Sequence, residues 1–126
     1  MQDRKTFLLV EEQALVQLDM AQGLLELFPS AVIVEARGAE QAMSALDGVE
    51  RLTGAISGVG FESTRNSALG TRVAALGGWL ICLHGRHADR IVAEGWHPLA
   101  QPFAEDDLQN LVRTLTFDEA HSHVAC

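Results

Sequence analysis

Phe7-Leu8-Leu9-Val10 is apolar at every position, not at every second one. A strand with one face on a core and one in water alternates apolar and polar side chains. A continuous run therefore demands cover on both faces, which is the situation of a strand inside a parallel sheet flanked by helices. The run ends abruptly at Glu11-Glu12. That places two carboxylates at the carboxyl edge of the strand, where ligand sites in such sheets lie. Paired acids at that edge suit a cation or a positively charged group.

The remainder of the chain alternates in the same way. Gln13 to Phe28 carries Leu15, Leu18 and Leu25 with Val16, Leu24 and Leu27, a helical stripe stopped by Pro29. Ala31-Val32-Ile33-Val34 reads as a second strand, and Gly38 to Leu46 as a second helix closed by Gly48. Thr53-Gly54-Ala55-Ile56 is a poor strand by propensity, because glycine offers no side chain to pack. Ser63 to Leu76 predicts one helix with Leu69, Val73 and Leu76 inward and Gly77-Gly78 as its stop. Trp79 to Leu83 is a buried strand, Ala88 to Ala93 a short helix, and the chain near Leu99 briefly extended. Leu108, Leu111, Val112 and Leu115 then recur at helical spacing, behind Glu105, Asp106 and Asp107, acids that favour a helix N-terminus. Strands alternating with helices imply a doubly wound α/β fold: a five-stranded parallel sheet flanked by five helices.

The chain has 126 residues, enough for one domain with a real core. Residues 1–116 hold all the periodic segments; 117–126 reads as a short flexible tail ending in His121, His123 and Cys126. With 17 acidic residues against nine basic ones, the formal charge is −8, which argues against nucleic acid as a partner. No apolar run approaches the roughly 20 residues of a membrane span, and the start lacks a signal-peptide pattern. The expected setting is cytoplasmic, without membrane attachment. Cys82 lies in an apolar run and reads as a small buried hydrophobe.

These segments, in this order, resemble the receiver domain of bacterial two-component response regulators, a flavodoxin-like fold. The resemblance runs from Thr6 to about Leu115. It rests on Leu8-Leu9-Val10-Glu11-Glu12, on Val32-Ile33-Val34-Glu35-Ala36 before Gly38-Ala39-Glu40-Gln41-Ala42, on Leu83-His84-Gly85, and on Leu99-Ala100-Gln101-Pro102-Phe103. In that family a phosphoryl group goes to an Asp at the end of the third strand. Mg²⁺ binds beside it, and a Thr or Ser and a Lys contact the phosphoryl oxygens. Carried onto this chain, only the acidic pair survives, as Glu11 and Glu12. The acceptor position falls on Ser57, the hydroxyl position on His84, and the Lys position on Gln101. No Asp stands anywhere between Gly48 and Ala88, and Glu62 lies too far into the following loop to stand in for one. The family's fifth-strand aromatic is replaced by Pro98, and its cis turn corresponds to Gln101-Pro102.

The losses agree chemically. A serine hydroxyl without a base is a poor nucleophile, and it adds no charge to a metal site. Mg²⁺ wants oxygen ligands that include carboxylates, so its binding should be weak or absent, and no other cofactor is expected. Gln101 donates hydrogen bonds but does not neutralise a phosphate. The resemblance thus implies a stand-alone degenerate receiver that signals by protein–protein docking, without catalysis, on a sensor kinase, another regulator or a second copy of itself. The expected contact faces are Arg86, His87, Arg90, Trp96, Asp107 and Asn110 on one side, and Gln17, Asp19, Gln22 and Glu26 on the first helix.

Two rival readings use the same residues. Glu11, Glu12 and His84 have the types of a Zn or Mn site, against the plainer reading that His84 fills the vacated space and bonds an acid. Ser57, His84 and Glu12 have the types of a hydrolase relay, although Ala55-Ile56-Ser57-Gly58-Val59 lacks the glycine pattern of a nucleophile elbow.

Overall fold

The computed structural model describes residues 4–84 and 86–125, with side chains through Phe117. In chain order the elements are β1 (Thr6–Val10), α1 (Ala14–Leu27), β2 (Val32–Ala36), α2 (Ala39–Ala45), β3 (Gly54–Ser57), α3 (Phe61–Asn66) and α4 (Leu69–Ala75). There follow β4 (Trp79–His84), α5 (Ala88–Ala93), β5 (His97–Ala100) and α6 (Glu105–Ala125). The five strands form one parallel sheet in the order β2-β1-β3-β4-β5. No described helix is long and apolar enough to cross a membrane.

The unbroken apolar run of β1 does what its composition demands. Phe7, Leu8, Leu9 and Val10 are all at 0% exposure. Phe7 and Leu9 face α1 and α6, packing with Met20, Leu24, Leu108 and Val112. Leu8 and Val10 face the opposite way, onto Ala42 of α2, Leu46 just past its end, and Leu69 and Val73 of α4. Each such side chain contributes about 1.5–3 kcal/mol on burial, against about 0–1 kcal/mol for an exposed ion pair. The two-sided core, not surface charge, holds the layers together.

Among the described residues there are six helices rather than the expected five, because the segment Ser63 to Leu76 is broken at Ser67. Ser67 takes an extended backbone (φ −92°, ψ 167°). Its Oγ donates to the Thr64 carbonyl at 2.9 Å and accepts the Leu69 amide at 3.3 Å. One hydroxyl thus closes α3 and opens α4, the local competition that makes serine a poor interior helix residue. The last helix, Glu105–Ala125, continues through the segment expected as a tail; the side chains of His121, His123 and Cys126 lie outside the described residues.

Helix α1 is rotated relative to the sequence expectation. Leu15, Leu18 and Leu25, expected inward, are 71%, 50% and 38% exposed, while Gln17, Met20, Ala21 and Leu24 are buried. The helix is apolar nearly all round, so periodicity leaves its phase open. Gln17 fixes it: Nε2 donates to the carbonyl oxygens of Leu9 at 3.2 Å and Ala36 at 3.0 Å. A buried amide that bridges two strand ends is more costly to displace than a leucine is to expose. Gln17 therefore belongs to the core, not to the contact face on which the sequence placed it.

The weak third strand also has its explanation. Gly54 pairs with Trp79 across the sheet, and a Cβ built on Gly54 would overlap the indole. The glycine is the floor on which Trp79, 5% exposed, lies. Gly54→Ala should therefore destabilise the fold by about 1–3 kcal/mol, the usual magnitude of overpacking, measured as a lower urea midpoint with an unchanged slope.

Candidate functional site

At the carboxyl edge of the sheet, β1 ends at Val10 and β3 at its register partner Ser57. The Gly58 amide donates to the Val10 carbonyl at 2.7 Å, which ties the turn after β3 back to β1. Gly60 then adopts φ +101°, a left-handed backbone that glycine reaches without strain, and α3 begins at Phe61. Only Gly58, Val59 and Gly60 separate β3 from α3. The short turn folds α3 directly over the strand end.

Ser57 is at 0% exposure, and so is Thr64 of α3. Their hydroxyl oxygens are 2.7 Å apart, and Thr64 Oγ1 donates to the Gly60 carbonyl, also at 2.7 Å. A threonine hydroxyl has one proton. Since Gly60 takes it, Ser57 must be the donor to Thr64. The hydroxyl at the acceptor position is thus roofed by α3 and its proton is committed. Cys82, the register partner of Ser57 on β4, is buried in the same corner. Burial pushes its thiol up from the ordinary range. Thr64 was not singled out from sequence. The available signal was a hydroxyl four residues after Gly60, the spacing at which a helical threonine bonds a carbonyl one turn back.

The acidic pair divides. Glu11 is 5% exposed, and its Oε1 occupies the space over Gly58, where an added Cβ would overlap it. Its Oε2 accepts the Gln13 amide at 3.0 Å, at the entry to α1. A carboxylate there meets the positive end of the helix. Glu12 is exposed and lines a surface depression with Glu40, Met43, Val59 and Ser63, on the α2 side of the turn. Among the described residues no three His, Cys, Asp or Glu side chains gather as a metal-holding group, so Glu11, Glu12 and His84 stay apart.

Among the described residues His84 bonds no acid, contrary to the sequence expectation. Its Nδ1 accepts the His87 amide at 3.2 Å, bridging the turn from β4 into α5, while its carbonyl accepts the Gln101 amide at 2.8 Å. With Ser57 bonded to Thr64 and His84 to His87, the hydrolase relay of Ser57, His84 and Glu12 has no nucleophile–base bond. The Gln101-Pro102 peptide is cis, matching the resemblance. The exposed Gln101 lines a groove beside α1 with Val16, Met20, Phe103 and Leu108, a groove that Ser57 does not line.

The expected contact residues around α5 are partly committed to the fold. Arg90 pairs with Glu62 of α3 at 2.8 Å and lies 4.6 Å over the Phe61 ring. Arg65 pairs with Glu94 at 3.0 Å, a second link from α3 to α5. Glu62 is thus a surface partner of α5, not a substitute acceptor. Half-buried Trp96 packs edge-on to Phe61 and closely on Gly70. Asp107 accepts the Ala104 amide at 3.0 Å at the start of α6, and Asn110 accepts from Arg113 at 3.3 Å. Arg86 and His87 line a shallow depression at the start of α5.

Compared with known proteins, no family model and no curated protein matches this chain. Solved structures do. Over 90% of this chain and 99% of the other, the structure is similar to the chemotaxis response regulator CheY4 of Vibrio cholerae, at 14% identity and a TM-score of 0.69. It is also similar to an adenylate cyclase structure from Rhodopirellula baltica (12% identity, TM-score 0.74, 98% and 96% covered). A third likeness, to the response regulator PhyR from Brucella abortus, has 18% identity and a TM-score of 0.75 and spans 98% of this chain but 52% of that one. The chain has the receiver fold.

Two outcomes follow from the hydroxyl pair. Thr64→Val keeps the shape but strands the Ser57 donor, while the Gly60 carbonyl keeps the backbone amide of residue 64 at 3.1 Å; it should lower stability by about 1–3 kcal/mol in urea titration. In a Cys126→Ser background Cys82 is the single thiol. It should resist an aromatic disulfide reagent at mildly alkaline pH until denaturant is added, because burial disfavours the reactive thiolate.

Proposed function

We propose that this chain is a receiver-fold signalling module that works by docking on a protein partner, without aspartyl phosphorylation and without catalysing a reaction. The observation that carries the reading is Ser57. At the end of β3, where a phosphoacceptor would need an exposed carboxylate, there stands a hydroxyl at 0% exposure whose proton goes to Thr64. The surroundings support it. Glu11 is drawn into the turn over Gly58 and the α1 entry, and Glu12 faces α2. Gln101 lines a different groove and carries no charge to meet a phosphoryl group. A module without a working acceptor is regulated by its abundance or its partner, and its surfaces become its function.

The test is incubation of the purified chain with Mg²⁺ and a small-molecule phosphoryl donor, followed by intact-mass measurement and tryptophan fluorescence. The expected result is no acid-labile adduct and no fluorescence change that depends on both reagents. A stoichiometric phosphoryl adduct would overturn the reading.

A further inference from the structure

The sheet ends in two edge strands, β2 and β5, and only one is guarded against a further strand. The Gln101 amide bonds His84, so by alternation Pro98 presents its backbone outward, where it has no N–H to give. β2 has no such guard: Val32-Ile33-Val34-Glu35-Ala36 holds neither Pro nor Lys, and Val32 is 38% exposed. The Val32 amide donates to the Lys5 carbonyl and the Ala36 carbonyl accepts from Glu11, so the even-numbered residues face β1. Ile33 and Glu35 therefore turn their N–H and C=O groups outward, and among the described residues nothing pairs with them. The open stretch stops at both ends. The Ala31 amide donates to the Phe28 carbonyl at 2.9 Å, and the Arg37 amide to Gln41 Oε1 at 2.6 Å.

Such an edge is complementary to itself. In an antiparallel pair, two outward residues meet and exchange both bonds. A two-fold axis at Val34 sets Ile33 opposite Glu35 of the second copy and Glu35 opposite Ile33, which uses every open group. An axis at Ile33 or Glu35 would call on the occupied amide of Ala31 or Arg37, and the latter would also set Glu35 against Glu35. Charge agrees with the first arrangement. The formal −8 of each copy opposes association in general, but Glu35 and Arg37 balance along this edge. A depression at the amino end of β2 is lined by Arg4 and Lys5 and no acid; one at the carboxyl end is lined by Glu12 and Glu40 and no Lys or Arg. The two-fold lays the basic end of one copy beside the acidic end of the other. Resting on the docking function proposed above, we infer that a second copy of the chain is the partner at this edge. The two β2 strands pair antiparallel about Val34, and the two sheets become one continuous sheet.

Sedimentation at rising concentration should show a monomer–dimer equilibrium, and amide exchange at Ile33 and Glu35 should slow about tenfold or more as the dimer fills. Glu35→Pro removes an outward N–H at an exposed position without touching the β1 ladder; it should fold, by circular dichroism, and stay monomeric. In a Cys126→Ser background, Val34→Cys should cross-link two copies under mild oxidation, because a non-hydrogen-bonded antiparallel pair brings Cα atoms to about 4.5 Å, within disulfide reach. Val32→Cys, which falls opposite Ala36, should not. The cross-linking pair decides the matter even if Glu35→Pro fails to fold. A monomer at every concentration, a dimer that Glu35→Pro leaves intact, or equal cross-linking at the two positions would overturn the assignment. So would protection of the two amides only by another protein's strand, with this chain monomeric. A monomer that takes no phosphoryl adduct removes this pairing alone; a phosphoryl adduct removes the docking function whatever the sedimentation shows.

Discussion

The burial of β1 on both faces is the constraint from which the rest of the architecture follows. Phe7 and Leu9 require α1 and α6; Leu8 and Val10 require α2 and α4. A strand so enclosed has neighbours on both sides, and β2 and β3 pair with it in register. The carboxyl ends of β1 and β3 are thereby brought level, with Val10 beside Ser57. The position of the site is a by-product of the core, and it survives whatever residues stand at the strand ends.

That division explains what was legible in the sequence. The strands β1 and β4, the parallel α/β layering and the Gln101-Pro102 turn were all readable, because each is written in a local run or an ordered set of motifs. The phase of α1 was not, because leucines occur all round that helix and a buried glutamine, not a leucine, decides which side faces in. The break at Ser67 was hidden for a related reason: apolar spacing continues through it while a hydroxyl redirects the backbone. Gly54 counted against β3 by propensity, yet it is what Trp79 needs across the sheet.

The site was legible as an inventory but not as an arrangement. Glu11 and Glu12 are adjacent in sequence, but Glu11 is buried at the turn over Gly58 and Glu12 is exposed toward α2. His84 and Gln101 are joined through backbone, while their side chains serve the start of α5 and the α1 groove. Long-range partners of this kind depend on turn lengths and helix positions that no local pattern encodes. The residue most informative about Ser57, Thr64, lies in a helix whose start was itself misplaced by two residues from sequence.

The proton order of the Ser57–Thr64–Gly60 chain bears on what position 57 tolerates. Thr64 gives its single proton to a carbonyl and so presents only lone pairs to its neighbour. An ionised aspartate at 57 likewise offers only lone pairs, and the two would face each other acceptor to acceptor in a buried corner. Accommodating it means either turning the Thr64 proton away from Gly60 or replacing Thr64. Positions 57 and 64 are therefore coupled as a donor and its acceptor, and a one-residue reversion to an acceptor carboxylate leaves the wrong partner in place. The missing acid is recorded twice in this chain, once at the end of a strand and once in the helix that covers it.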